Sequence, residues 1–232
     1  MNQHSEKIKA AIKSKQDPKK ANWLESYVKH NIKSLGVGIP DLREIVKKSV
    51  IEFRLTEKPI SYQNEFLDDL MQEEYAEYKL AAILYIQLFW NGRIDKISIE
   101  LASSWFDKGW IYDWNVCDWL CVKILTPLID RYPDETIKHL KTWNQSKYLW
   151  KARASLVPFA QCKTIDSHIK TIQMFAINLI KRDERFCKTA VGWVLREYSK
   201  TNPKFVTEFL KKYNNWTTAE VIKNANKYLD KK

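Results

Sequence analysis

Apolar residues recur at spacings of three and four along nearly the whole chain, the signature of amphipathic helices. This periodicity predicts helices at 5–15, 18–30, 41–53, 61–72, 74–90, 97–107, 114–131, 134–143, 147–161, 166–181, 184–200, 203–213 and 217–229. The segment SLGVGIP (34–40) reads as a loop, with Pro40 set to open the following helix. Asn91-Gly92 reads as a left-handed stop after the helix ending near residue 90. Tyr132-Pro133 and Asn202-Pro203 mark boundaries, and Pro127 marks a kink inside 114–131. No alternation of period two persists long enough to predict a strand.

The longest predicted helices recur every 35–40 residues or so, close to the roughly 40–47 of HEAT and armadillo units. Short loops join them, and no Gly-, Ser- or Pro-rich linker interrupts the chain. The expectation is therefore an all-α solenoid of HEAT-like repeats with a concave face, in one domain spanning 1–232.

Composition narrows the options. Five glycines and seven prolines in 232 residues leave too few turn-formers for a β-sandwich or barrel. Neither GxGxxG nor a Walker A lysine is present, so nothing predicts a phosphate-cradling loop. No apolar run approaches a membrane span, and the polar start MNQHSEKIKA does not resemble a signal peptide, which predicts a cytoplasmic protein (nucleoid-associated in a bacterium, nuclear in a eukaryote) without a membrane partner. The net charge of +11 is uneven: +6 over 1–60, −3 over 61–162 and +8 over 163–232. A solvated lysine-rich surface or a polyanion-binding one would both produce it. Cys117, Cys121, Cys162 and Cys187 lack the companions of a zinc site and read as buried free thiols, so no metal is expected.

Three segments hold side chains with chemical potential. In WIYDWNVCDWL (110–120), Trp114 and Asp118 are four apart and share one helix face. An indole beside a carboxylate suits a cationic substrate or transition state, although a lone WxxxD is usually a core tryptophan near a capping aspartate. In KYLWKARASLVPF (147–159), Arg153 stands between two alanines, where a guanidinium can reach a phosphate or lie on an ordinary surface. In FCKTAVGWVLREYSKTNP (186–203), Gly192 falls mid-helix, which implies close packing against its backbone. Trp193 and Arg196 share a face there, with Glu197 beside them.

Taken in order, YVKHNIKSLGVGIPDLREIVK (27–47), Trp114-x-x-x-Asp118, Trp150-x-x-Arg153 and GWVLREYSKTNP (192–203) resemble the AlkD-type DNA alkylation repair family of alkylpurine DNA glycosylases. The resemblance runs from about residue 20 to the C-terminus, and its last motif is the most specific. It implies a right-handed superhelix of HEAT-like repeats with a basic concave groove holding duplex DNA, active as a monomer. The implied activity is hydrolysis of the N-glycosidic bond of cationic N3- and N7-alkylated purines, such as 3-methyladenine and 7-methylguanine, without a cofactor and without lifting the base from the stack. The resemblance assigns the catalytic carboxylate to Asp118, sugar-contacting indoles to Trp114 and Trp193, phosphate contacts to Arg153 and Arg196, and a place near DNA to Tyr27. One departure stands out. The family carries polar residues just before the loop proline, where this chain has Gly38-Ile39.

The chemistry follows from the charges. A purine alkylated at N3 or N7 is already cationic and leaves without a general acid. Bond breaking then puts positive charge on the sugar, which one nearby anion can stabilise while orienting water. No lysine is singled out beside Asp118, so hydrolysis is expected and not lyase chemistry. The alternative is a catalytically inactive member of the same fold that binds DNA structure alone. A helical protein scaffold would account for the fold but not for the ordered motifs.

Overall fold

The computed structural model describes residues 2–90 and 96–229, and the predicted Asn91-Gly92 stop lies outside them. Among the described residues the chain is all-α, with no strand beyond one isolated bridge between Lys33 and Tyr75. It divides into two compact units, Met1–Ile124 and Leu125–Lys232.

The first unit is built around one helix. α1 (Gln3–Lys13), α2 (Pro18–Tyr27), α3 (Ile39–Glu52) and α4 (Ile60–Met71) precede α5 (Ala76–Phe89), in which every residue from Ala76 to Ile86 is buried. A helix that is apolar on all sides belongs at the centre of a core. α1, α3 and α4 pack on it from the N-terminal side of the chain, followed by α6 (Lys96–Asp107) and α7 (Trp114–Leu120). The basic amphipathic segment at the N-terminus, α1, buries Ser5, Ile8, Lys9 and Ile12 against α3, α4 and α5. Local chemistry sets the starts. Asn2 caps α1; Asp17, followed by Pro18, caps α2; Asp113 caps α7.

The second unit comprises α8 (Thr126–Arg131), α9 (Pro133–Asn144), α10 (Leu149–Leu156), α11 (Ile169–Ile180), α12 (Arg185–Tyr198), α13 (Pro203–Lys212) and α14 (Ala219–Ala225). α12 is its hub, packing on α10, α11, α13, α14 and the 3₁₀ segment Val157–Gln161. Gly192 explains one of those contacts: a Cβ there would lie 3.3 Å from Val221 Cα and 3.4 Å from Val221 O. The predicted close approach at this glycine is thus between α12 and α14.

Three predicted helices are subdivided. The predicted helix 147–161 ends at Leu156 and continues as the 3₁₀ segment, because Pro158 has no N–H to donate back into the helix. The predicted kink at Pro127 takes the form of a π turn over Cys121–Leu125, immediately before α8. The predicted 217–229 reduces to α14, flanked by the 3₁₀ segments Asn214–Trp216 and Asn226–Tyr228. All four cysteines are buried, as expected for structural thiols.

Candidate functional site

Within the first unit, α7 carries both Trp114 and Asp118, each half-buried and one helical turn apart. Asp113 holds the start of that helix. Its Oδ1 accepts the N–H groups of Asn115 (2.8 Å) and Val116 (3.4 Å), while Oδ2 is buried without a hydrogen-bond partner among the described residues. The residue is 0% exposed. Burial pushes its carboxyl up to about 6, against the pull of the two N–H groups and with a further push from the Asp118 carboxylate.

Two buried charges on α5 fix the segments that lead into the site. Glu77 accepts hydrogen bonds from Ser34 Oγ (2.6 Å) and from the N–H groups of Leu35 (2.9 Å), Gly36 (2.9 Å) and Val37 (3.3 Å). Gly36 can have no side chain here: φ is +77°, and a Cβ would meet Asp17 O at 2.2 Å. Lys79 donates to the carbonyls of Met71 (2.6 Å) and Trp110 (2.9 Å), with its ammonium 5.0 Å from the Tyr112 ring centre. Burial lowers its pKa to about 8.

Tyr27 joins this group directly. Its ring meets Trp114 edge-on at 5.4 Å and stacks on Trp23 at 5.6 Å with 6° between planes. Trp23 and Tyr27 are 64% and 59% exposed. Beneath them lies a cavity of about 370 Å³, lined mainly by apolar side chains including Val37, Ile39, Leu80 and Trp119. Gly38 and Ile39, the pair that departs from the family pattern, line this cavity.

The remaining predicted residues belong to the second unit. Arg153 on α10 is buried, 4% exposed, and its Nη1 donates to Phe186 O (2.7 Å) and Thr189 Oγ1 (3.2 Å). Trp193 is half-buried on α12, with the Arg196 guanidinium 6.0 Å from its ring centre. Arg196 is itself held by Glu197 (Nη2–Oε1 2.7 Å) and Asn224 Oδ1 (3.2 Å). Glu197 also pairs with Lys200, and the two cations hold its carboxyl below the usual range against the effect of its burial.

Asp118, Trp114 and Tyr27 therefore share one unit, while Arg153, Trp193 and Arg196 share the other. Trp23, Glu77, Lys79 and Asp113 did not emerge from the sequence. Two signals were available. Asp113 directly precedes the periodic run 114–120, the usual place for an N-cap, and Trp23 stands four residues before Tyr27.

The all-helical fold defines a class, and it is one shared with solved structures. The chain resembles a predicted DNA alkylation repair enzyme from Enterococcus faecalis, at 21% identity with a TM-score of 0.75, over 94% of this chain and 98% of that one. It also resembles AlkD2 from Streptococcus mutans, at 16% identity with a TM-score of 0.56, over 83% of this chain and 90% of that one. No curated protein matches it. Residues 8–229 match the model of the DNA alkylation repair enzyme family, and the chain belongs to that family.

Proposed function

We propose that this protein is a monofunctional alkylpurine DNA glycosylase, hydrolysing the N-glycosidic bond of cationic N3- and N7-alkylated purines in duplex DNA. The observation that carries this reading is the pairing of Trp114 and Asp118 on α7, with Tyr27 against the indole. A carboxylate one turn from an indole face supplies what the reaction requires: an anion for the developing oxocarbenium ion and a π face for the cationic sugar. In this reading Asp118 also orients the attacking water, and Trp193 presents a second indole to the sugar. Arg196 contacts a phosphate, and so does Arg153 once its bonds to Phe186 O and Thr189 give way to phosphate oxygens; residues 1–232 act as one domain. The protein works as a monomer in the cytoplasm. Among the described residues no helix is long and apolar enough to cross a membrane.

Incubation with methylated duplex DNA tests the proposal. Free 3-methyladenine and 7-methylguanine are expected products, separated by chromatography. Binding without base release would replace the glycosylase with a DNA-structure-binding member of the same family.

A further inference from the structure

Lys29 and His30 are consecutive non-glycine residues in the left-handed region, with φ of 56° and 57°. This backbone conformation is unfavourable for any residue with a Cβ, and glycine adopts it freely. The turn does not depend on these two side chains. Lys29 N donates to Ser26 O (3.1 Å) and His30 N to Glu25 O (2.7 Å), bonds that any non-proline residue would make. Val28 before the pair and Ile32 after it are buried and anchor both ends.

Nor does packing offset the strain. Both residues are exposed, and the His30 side chain, 69% exposed, has only a 4.0 Å approach to Glu25. The Lys29 ammonium has no ion-pair partner among the described residues. The helix C-terminus favours a cation weakly, through its dipole, but one cation would satisfy that end. Two basic side chains thus stand where glycine or asparagine would fold more easily. Their value lies outside the folded chain.

What lies beside them indicates what they meet. One turn back on α2 are the exposed, stacked rings of Trp23 and Tyr27, and Tyr27 abuts Trp114, which shares α7 with Asp118. Lys20 continues the α2 stripe, although it also pairs with Asp17 at 3.5 Å. Basic groups interleaved with exposed aromatic rings fit a sugar–phosphate backbone. We propose that the strained turn at Lys29-His30 is a phosphate-binding lip, which takes the DNA backbone beside the Trp23–Tyr27 stack. This rests on the reading of the protein as DNA-acting and extends it to a phosphate contact at Lys29 and His30, which lie in the 27–47 motif without an assigned role.

The test separates folding from binding, using the full chain with Lys29→Gly, His30→Gly, the double glycine variant and Lys29→Arg. Thermal melts of the double variant should show a Tm equal to wild type or raised by up to a few degrees, roughly, because strain is removed. Its Kd for an undamaged duplex should rise severalfold. The slope of log K against log salt should become shallower by about one for each phosphate that the variant no longer neutralises. Lys29→Arg should bind like wild type. A double variant that binds as tightly as wild type with the same salt slope overturns the lip and leaves the glycosylase reading intact. A double variant with a lowered Tm overturns the strain argument. A wild-type protein that binds no duplex overturns both readings.

Discussion

The two units differ most in their charge. Residues 1–124 contain 18 basic and 18 acidic side chains, whereas residues 125–232 contain 21 and 10, so the entire surplus of +11 resides in the second unit. The neutral unit holds the α7 indole–carboxylate pair and the exposed aromatic stack; the basic unit holds Arg153, Arg196 and Trp193. Charge and proposed chemistry are therefore allotted to different parts of the chain. A carboxylate that must attract a cationic sugar does less well among many lysines, whose own charges would compete for it. Neutral surroundings keep the field of one aspartate available.

Asp118→Asn is the severest test of that contrast. Single-turnover release of 7-methylguanine should fall by about 10²- to 10³-fold, the usual cost of removing a preorganised electrostatic group. Duplex affinity should change little, because the group removed is one anion in the neutral unit. Equal rates for variant and wild type would remove the chemical role from that unit altogether.

Glu77→Gln should produce the next largest effect, in stability. The amide oxygen can take the place of Oε1 and serve Ser34, Gly36 and Val37, but its NH2 group then faces the N–H of Leu35, donor against donor. A destabilisation of about 2–3 kcal/mol in urea unfolding is expected. Hydrogen exchange should accelerate at residues 34–37 and stay as in wild type beyond residue 125.

Asp113→Asn probes a smaller, pH-dependent contribution. With its carboxyl raised to about 6 from an ordinary 3.8, the fold binds a proton that the unfolded chain releases earlier. The stability this contributes is complete below about pH 4, is lost as the pH rises through 6, and is absent above. Between pH 5 and 7.5 wild type should lose about 1 kcal/mol relative to the Asn variant, which keeps a capping oxygen but does not titrate. Parallel urea melts at the two pH values measure the difference.

The parts of this molecule that obey local rules were readable from the sequence. Pro18, Pro133 and Pro203 open helices, the predicted 34–40 loop is present but gives way to α3 at Ile39, one residue before Pro40, and Gly192 marks a close helix contact. Trp114 and Asp118 were legible because i, i+4 spacing fixes a shared face. Glu77 and Lys79 were not, since in a helix buried on every side a charge gives no hint of which distant carbonyl or N–H it will meet. The division near residue 124 was equally hidden, because it falls within an unbroken helical stretch, at the π turn. Pro158 is a different case. The rule that a proline ends a helix was available, and the apolar periodicity through 147–161 masked it.

The four buried cysteines take on a meaning in a cell under methylating stress. Thiolates are among the strongest nucleophiles in the proteome and are prime targets of the reagents that damage purines. Here every thiol lies in the interior, and burial pushes the Cys162 thiol up to about 11, so almost none of it is thiolate at neutral pH. A repair protein so built presents little thiolate for the damaging agent to consume. Its cysteines are thereby kept out of the chemistry that creates its work.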